Sequence, residues 1–226
     1  MIPVICTQGI KEKEQLIKLG GNEKSIHVVG SMKFDLIRPS GENSFNTLFN
    51  VYESKSFINR VILLGASTWP GEEEILINTY KKLRLKYPHL LLILAPRHEE
   101  RADDVEKLIL NNNFLVRRRT RSLNLSPISN NQILLLDSTG ELNLIYKDID
   151  ITFIGKSIIS KGGQNPIEPA MNKSVVITGP YMENFTSVVN IFDQINARII
   201  IKDESELIIE IEKLLSSIAV SYTHLT

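Results

Sequence analysis

The sequence predicts an α/β fold, a Rossmann-like parallel sheet with helices on both faces. Short runs rich in Val, Ile and Leu alternate along the chain with segments of helical periodicity, a pattern typical of βαβ units. Several of these runs are almost continuously apolar, as strands covered on both faces must be. The chain has 226 residues, of which 42% are apolar, so it is long enough to bury a large core.

Strands are predicted wherever a short apolar run is bounded by turn residues. They are Ile26–Val29, Val61–Leu64, Leu90–Leu94, Phe114–Arg117, Gln132–Leu136, Ile151–Ile154, Val175–Ile177 and Arg198–Ile201, with a further strand-like piece at Ile2–Cys6. Helical segments are predicted at Lys11–Leu19, Glu72–Tyr87, Glu99–Asn112, Glu141–Tyr146, Glu183–Ile195 and Ser205–Ser217. The clearest is Glu72–Tyr87, in which acidic residues come first and basic residues last, as the helix dipole favours.

The chain divides into parts of different character. Residues 37–55 hold Pro, Gly, Ser and Asn between two better-patterned stretches, which predicts a linker. We expect residues 1–36 to be the tail of an N-terminal domain and residues 56–219 to form a nucleotide-sugar-binding domain. Residues 220–226 resemble a translated sequencing-adapter read-through, so we expect an artefactual tail there.

Composition excludes some classes of function. The formal net charge is zero, which gives no support to nucleic-acid binding. Cys6 is the only cysteine, so no internal disulfide and no thiolate metal site is expected. No apolar run reaches the length of a membrane span. A local basic cluster has two interpretations, the solvated end of a strand, which is the commoner case, or a binding patch; its members are Arg117, Arg118, Arg119 and Arg121.

Candidate site residues follow the strands, because ligands of open parallel sheets bind outside the carboxyl ends of the strands. After the strand at 61–64, Ser67 and Thr68 can donate to an anion or cap the next helix, and cap residues are the simpler interpretation. The three glutamates that follow, at 72–74, should repel a phosphate placed beside them. After the strand at 90–94, Arg97 can hold a phosphate with its planar fork and His98 can donate to a phosphate or a base. The alternative is a surface pair between Arg97 and Glu99 or Glu100.

Two later segments offer backbone donors. Residues 137–142 begin a helix, where free N–H groups can read a nucleobase or be capped by Asp137 or Ser138. The stretch from 155 to 170 contains two adjacent glycines that permit close backbone approach. Glu168 then either completes a capping box with Asn165 or faces a ribose, and Pro169 favours a helix that starts later.

These segments, in this order, resemble the C-terminal domain of bacterial 3-deoxy-D-manno-octulosonic acid (Kdo) transferases. The matching stretches are Val29–Asp35, Gly65–Glu74, Leu92–His98, Asp137–Leu142, Gly162–Pro169 and Gly179–Phe185. The resemblance covers roughly the first two hundred residues and implies the C-terminal half of a GT-B glycosyltransferase. It implies transfer of Kdo from CMP-Kdo to a lipid A precursor (lipid IVA) in lipopolysaccharide core synthesis, with inversion and without a metal or cofactor. It places the full-length enzyme at the cytoplasmic face of the inner membrane.

The resemblance also implies roles for individual residues. Those that would bind the donor nucleotide are Pro96, Arg97, His98, Gly140, Glu141, Gly162, Gly163, Asn165 and Glu168. Lys33, Ser67 and Thr68 would lie near the sugar or phosphate. The catalytic base, the acceptor site and the membrane contact would belong to an N-terminal domain, so no catalytic residue is expected here and the chain alone should not turn over.

This sequence departs from the family pattern at Ser31, where Asn is expected, and at Lys156, where a small residue is expected. Two alternatives stay open. One is another GT-B transferase or epimerase that uses a UDP-sugar, and the other is a nucleotide-binding module without catalysis.

Overall fold

The structure, a computed structural model, describes residues 4–30, 60–121, 128–129 and 131–223, with side chains as far as Ser217. The predicted linker at residues 37–55 lies outside the described residues, as do Ser31 and the candidate Lys33. All the other candidate site residues lie within the described ranges.

The first described segment is a small βαβ unit. Strand β1 (Ile5–Thr7) pairs in parallel with β2 (Ile26–Val28), and helix α1 (Ile10–Lys18) connects them. Helix α1 begins and ends within one residue of the prediction. Cys6 lies in β1 and is an exposed free thiol.

The large sheet has seven strands, all parallel, in the order β5-β6-β4-β3-β7-β8-β9. Its strands are β3 (Val61–Thr68), β4 (Leu90–Pro96), β5 (Leu115–Arg118), β6 (Gln132–Leu135), β7 (Ile151–Ile154), β8 (Val175–Thr178) and β9 (Ile199–Ile200). Its helices are α2 (Glu72–Leu83), α3 (Ala102–Asn111), α4 (Leu142–Ile145), α5 (Ile167–Met171), α6 (Thr186–Gln194) and α7 (Glu204–Thr223). The predicted fold class, a Rossmann-like parallel sheet, is confirmed.

Both faces of the sheet are buried, because successive side chains of a strand point to opposite faces. On one face, Leu63 and Leu92 pack in a core with the apolar sides of α2, α3 and α7. On the other, Leu64 and Ile93 pack against Ile145 and the residues that follow α4. Two smaller hydrophobic clusters pack α5 and α6 beside β7 and β8. Helices therefore cover both faces, as the continuous apolar strands predict.

Three predicted boundaries differ from the structure by four residues or more; one is the end of α7, which lies at Thr223 rather than Ser217. Strand β3 runs to Thr68, four residues beyond the predicted end, because neighbours on both sides continue to pair with it; Gly65 lies opposite both Leu94 and Phe153. Helix α2 ends at Leu83 rather than Tyr87. Pro88 argues against the predicted end at Tyr87, since a residue that precedes proline avoids the helical region.

The strand order creates a switch point between β3 and β7. From β3 the chain moves to β4 on one side of the sheet, and it later crosses to β7 on the other. Open parallel sheets bind their ligands in a crevice outside the carboxyl ends of the strands at such a point, so the loops that leave β3 and β7 mark the expected binding edge. The predicted site segments at 67–68, 96–98, 140–141 and 162–168 end or follow strands of the large sheet and lie toward this edge.

Candidate functional site

A buried carboxylate holds together the two loops at the switch point. Glu72, the first residue of α2, is completely buried. Its Oε2 accepts the N–H groups of Trp69 and Lys156 at 2.9 and 2.8 Å, and its Oε1 accepts those of Ser157 and Ile158 at 3.0 and 3.3 Å. Burial raises the pKa of the Glu72 carboxyl, and the four backbone N–H donors oppose part of that rise. Glu72 thus clamps the loop after β7 to the loop after β3.

The next glutamate is also buried and paired. Arg101 forms a two-pronged ion pair with the Glu73 carboxylate at 2.8 and 3.0 Å, and the Thr68 hydroxyl donates to Glu73 at 2.7 Å. The expected repulsion between the glutamates and a phosphate is therefore wrong for Glu72 and Glu73, because internal donors saturate both carboxylates. Only Glu74 of the three is exposed.

The expected cap residues of α2 were also wrong. Gly71, with a φ of 91°, is the N-cap of the helix, and neither Ser67 nor Thr68 caps it. Thr68 is completely buried and its hydroxyl is bound to Glu73, so it has no surface to offer a ligand. Ser67 is half-buried at an irregularity in β3, where its φ of 53° is left-handed.

The loop after β7 is held on its other side by Ser157. The buried Ser157 hydroxyl donates to the Ile154 carbonyl at 2.5 Å and accepts the Gly179 N–H at 2.8 Å. The Ser157 carbonyl accepts the N–H of Tyr181 at 3.0 Å. These bonds tie the loop after β7 to the loop after β8.

The two adjacent glycines noted in the sequence lie at the end of this loop and pack inside the protein. Gly162 and Gly163 are buried and have φ values of 120° and 72°, which side chains rarely adopt. The Gly162 N–H donates to Glu183 at 2.7 Å, and that of Gly163 donates to the Lys156 carbonyl at 2.8 Å. A Cβ at Gly163 would lie 2.4 Å from the Met182 sulfur. In this structure the glycines permit internal packing of the loop.

Asn165 and Glu168 lie side by side at the start of α5. The helix begins at Ile167, whose N–H donates to Asn165 Oδ1 at 3.0 Å. The Asn165 amide also donates to Glu168 Oε1 at 3.1 Å. The argument that Pro169 requires a later helix start was wrong, because a residue in the first turn has no intrahelical N–H bond to lose.

Glu168 lies in the first turn of α5 and is half-buried. Its carboxylate lies near the phenol of Tyr146, which follows α4. Burial raises the pKa of the Tyr146 hydroxyl, and the negative charge of Glu168 raises it further. A ribose hydroxyl beside Glu168 would therefore meet a carboxylate that already accepts one amide donor and has further acceptor capacity.

Arg97 and His98 follow β4 and are exposed, and Pro96 is the last residue of the strand. The Arg97 N–H donates to the Thr68 carbonyl at 3.1 Å. No acidic side chain of the described residues forms an ion pair with Arg97, so the expected alternative of a surface pair with Glu99 or Glu100 is wrong. The guanidinium is available at the carboxyl edge of the sheet.

Gly140 and Glu141 lie in the turn between β6 and α4. Gly140 is exposed with a φ of 81°, and a Cβ there would meet nothing within 4 Å. The Glu141 carboxylate accepts a hydrogen bond of 3.0 Å from the Arg119 guanidinium and another from the Ser138 hydroxyl. A bond of 3.1 Å from Thr139 to Glu99 joins this turn to the loop after β4. The turn therefore lies beside the loop that carries Arg97.

The basic cluster at the end of β5 is an ion-pair network, which matches neither interpretation of it. Arg118 donates to Asp137 at 2.7 Å and to Glu106 at 2.8 Å. The Thr120 backbone and hydroxyl donate to Asp137 at 2.9 and 2.5 Å. Burial alone would raise the pKa of Asp137, but the donors from Thr120 and Arg118 outweigh it and lower that pKa.

Asp137 should therefore stabilise the fold only where it is ionised. We expect Asp137→Asn to lower the free energy of unfolding at pH 7 by about 1–3 kcal/mol, because the donors lose a charged acceptor. The ordinary Asp pKa is about 3.9, and the folded value is lower, so the difference should shrink as pH falls below about 4. Urea denaturation from pH 7 to 3 measures this. Asp104→Asn, at an exposed position on α3, is the control; equal pH profiles for both variants would contradict the assignment.

Three side chains at the switch point form a stack that sequence reasoning did not assemble. The Lys156 ammonium lies 4.4 Å from the centroid of the Trp69 ring. The His98 ring meets the same indole edge-on, with centroids 5.6 Å apart. The indole Nε1 is buried and has no hydrogen-bond partner among the described residues. The only sequence signal was the departure from the family pattern at Lys156.

Among the residues that the structure describes, no group of three or more His, Cys, Asp or Glu side chains is placed to hold a metal ion. No helix within the described ranges is both long and apolar enough to cross a membrane.

The chain is similar to known sugar transferases. It is 37% identical to a 3-deoxy-D-manno-octulosonic acid transferase of Haemophilus influenzae, over 83% of this chain and 43% of that protein. It is 34% identical to the transferase of the same description from Rickettsia prowazekii, over 70% of this chain and 34% of that protein. The crystal structure of the C-terminal CMP-Kdo binding domain of WaaA from Acinetobacter baumannii matches with a TM-score of 0.64 and 28% identity, over 73% of this chain and 82% of that one.

The chain belongs to the Kdo transferase family. It spans less than half the length of the curated Kdo transferases named above. No family model matches it. A UDP-forming α,α-trehalose-phosphate synthase from Burkholderia xenovorans shares the fold, with a TM-score of 0.50 and 11% identity over 95% of this chain and 53% of that one.

Proposed function

We propose that this Kdo transferase chain binds the donor CMP-Kdo for the transfer of Kdo to a lipid A precursor in lipopolysaccharide core synthesis. The observation that carries the proposal is the match, over most of both chains, to a domain described as CMP-Kdo binding. In this proposal residues 56–219 are the donor-binding domain and residues 1–36 the tail of an N-terminal domain. That domain supplies the catalytic base, the acceptor site and the contact with the cytoplasmic face of the inner membrane.

The chemistry requires stabilisation of a leaving phosphate. An acceptor hydroxyl attacks the anomeric carbon of Kdo with inversion, the bond from that carbon to the phosphate oxygen breaks, and CMP departs with the electron pair. The hydroxyl proton passes to the base of the N-terminal domain. CMP gains negative charge in this step, so an oriented cation at the phosphate lowers the barrier. Arg97 is the exposed cation at the carboxyl edge of β4 that suits this role.

The remaining candidates suit the nucleoside. Glu168 accepts hydrogen bonds, and a ribose offers two hydroxyl donors to such a carboxylate. Asn165 orients that carboxylate through the 3.1 Å bond from its amide. Gly140 and Glu141 follow β6, on the far side of β4 from β7, and are the candidates for backbone contact with the cytosine. Of the described residues, the half-buried Ser67 is the remaining candidate near the sugar.

We expect the purified chain to bind CMP in preference to UMP. Arg97→Ala and Glu168→Gln should each weaken CMP binding by about tenfold or more, because each removes a charged hydrogen-bonding partner. Amide chemical shifts followed during titration measure the affinity, and the shifted residues should cluster at 97–98, 140–141 and 162–168.

Two variants serve as controls. Lys81→Ala removes a cation from the last turn of α2, at the opposite end of the helix from the crevice, and Glu210→Gln removes a carboxylate from α7. Neither should change CMP binding. Equal or tighter binding of UMP would indicate a UDP-sugar enzyme, and absence of binding by the folded chain would contradict the donor site in these residues.

A further inference from the structure

Lys156 adopts a backbone conformation that its place in the fold does not explain. Of the non-glycine residues with positive φ in the described ranges, Asn113, Lys173 and Asn196 each lie just past the end of a helix, where a left-handed residue is usual. Ser67 and Lys156, with φ of 53° and 58°, instead lie near the carboxyl ends of the adjacent strands β3 and β7. Strain of this kind concentrates at functional sites.

The backbone of Lys156 is fixed on both sides. Its N–H donates to the buried Glu72 carboxylate at 2.8 Å, and its carbonyl accepts the Gly163 N–H at 2.8 Å. The side chain therefore leaves the loop in one direction, toward Trp69. Glycine would adopt the same φ without steric cost, so the left-handed turn by itself does not call for lysine.

The ammonium of Lys156 has an aromatic neighbour and, in the part of the chain that the structure describes, no ion-pair partner. It lies 4.4 Å from the Trp69 ring centroid, and no carboxylate of the described residues forms an ion pair with it. The indole also contacts His98, which adjoins the exposed Arg97. Lys156 thus adds a second positive charge to the edge of the crevice where Arg97 already lies.

We propose that Lys156 is a binding residue for an anionic group of the donor, either the nucleotide phosphate or the carboxylate of the sugar. The inference rests on the proposed function and assigns one further residue to that site. In the unliganded chain the indole of Trp69 holds the ammonium in place by a cation–π contact. The donor anion replaces the ring as its partner, because a charged hydrogen bond is stronger than that contact.

Three variants separate the charge of Lys156 from its backbone. Lys156→Met removes the charge and keeps a long side chain, Lys156→Arg keeps the charge, and Lys156→Gly removes the side chain and relieves the left-handed strain. Calorimetric titration of the full chain with cytidine, CMP and CMP-Kdo measures the affinities. Trp69 is the only tryptophan, so its fluorescence reports directly on the stack.

We expect Lys156→Met and Lys156→Gly to weaken anion binding by about tenfold or more, while Lys156→Arg restores much of it. Cytidine should bind the parent and the variants equally. A loss shared by CMP and CMP-Kdo places the ammonium at the phosphate, and a loss confined to CMP-Kdo places it at the sugar carboxylate. Trp69 emission should change when the anion binds to the parent chain but not to Lys156→Met.

Unchanged affinities of Lys156→Met for both CMP and CMP-Kdo would overturn the inference. The urea midpoints of the variants should match or exceed that of the parent, so a loss of binding is not a loss of fold. If the chain instead prefers UMP, the donor assignment fails, and the same comparison of UMP with uridine still decides the role of Lys156.

Discussion

Glu72→Gln should lower the free energy of unfolding by about 2–4 kcal/mol. A typical domain is stable by only about 5–15 kcal/mol, so this is a large share. The Glu72 carboxylate accepts four backbone N–H groups in a completely buried position. An amide has one acceptor oxygen instead of two and turns its own N–H₂ group toward some of these donors. Each buried donor left unsatisfied costs about 1–3 kcal/mol.

The effect should be local as well as global. Urea denaturation measures the stability, and hydrogen exchange of the amides of Lys156, Ser157 and Ile158 should accelerate beyond the change expected from global unfolding. Glu74→Gln is the matched control, since it lies in the same first turn of α2 but is exposed. Similar losses in the two variants would show that the helix dipole, rather than the clamp, explains the effect.

Gly155→Ala should have a comparable or larger effect. A Cβ at Gly155 would lie 2.1 Å from the carbonyl oxygen of Ser67, and both partners are backbone, so no side chain can move aside. The strands β3 and β7 must separate at the switch point, or the loop after β7 must leave its place. We expect a loss of about 3 kcal/mol or more, seen as a lower urea midpoint, together with loss of CMP binding.

Gly140→Ala provides the comparison. Its φ of 81° is left-handed, but a Cβ there would meet nothing within 4 Å, so alanine should cost only about 1–2 kcal/mol of backbone strain. A Gly155→Ala variant that is no less stable than Gly140→Ala would mean that the close approach of β3 and β7 is not as tight as the structure has it.

Much of the framework is predictable because it depends on local pattern. The runs at Val61–Leu64 and Ile151–Ile154 are apolar throughout, and burial on both faces demands such composition. The charge order of α2 indicates its start at Glu72, although the helix ends four residues before the predicted end. Arg97 and the Gly162–Gly163 pair could be placed beyond the carboxyl ends of β4 and β7 because they follow strands that the sequence predicts.

The roles of neighbouring residues were less predictable, since their partners are distant in the chain. Glu72 was expected to repel a phosphate, yet its partners Lys156 to Ile158 lie 84–86 residues away. Glu73 was expected to do the same, but it pairs with Arg101, 28 residues on. Nothing near these glutamates in sequence indicates which donors will saturate them.

The sequence by itself determined the α/β class, the order of strands and helices and the family, because periodicity, turn residues and ordered motifs are properties of short segments. The tertiary structure alone decided that β3 lies beside β7, and with it the Glu72 clamp and the stack of Lys156 on Trp69. Strand adjacency depends on how the whole chain crosses the sheet, so contacts across the switch point become visible only when the sheet is assembled.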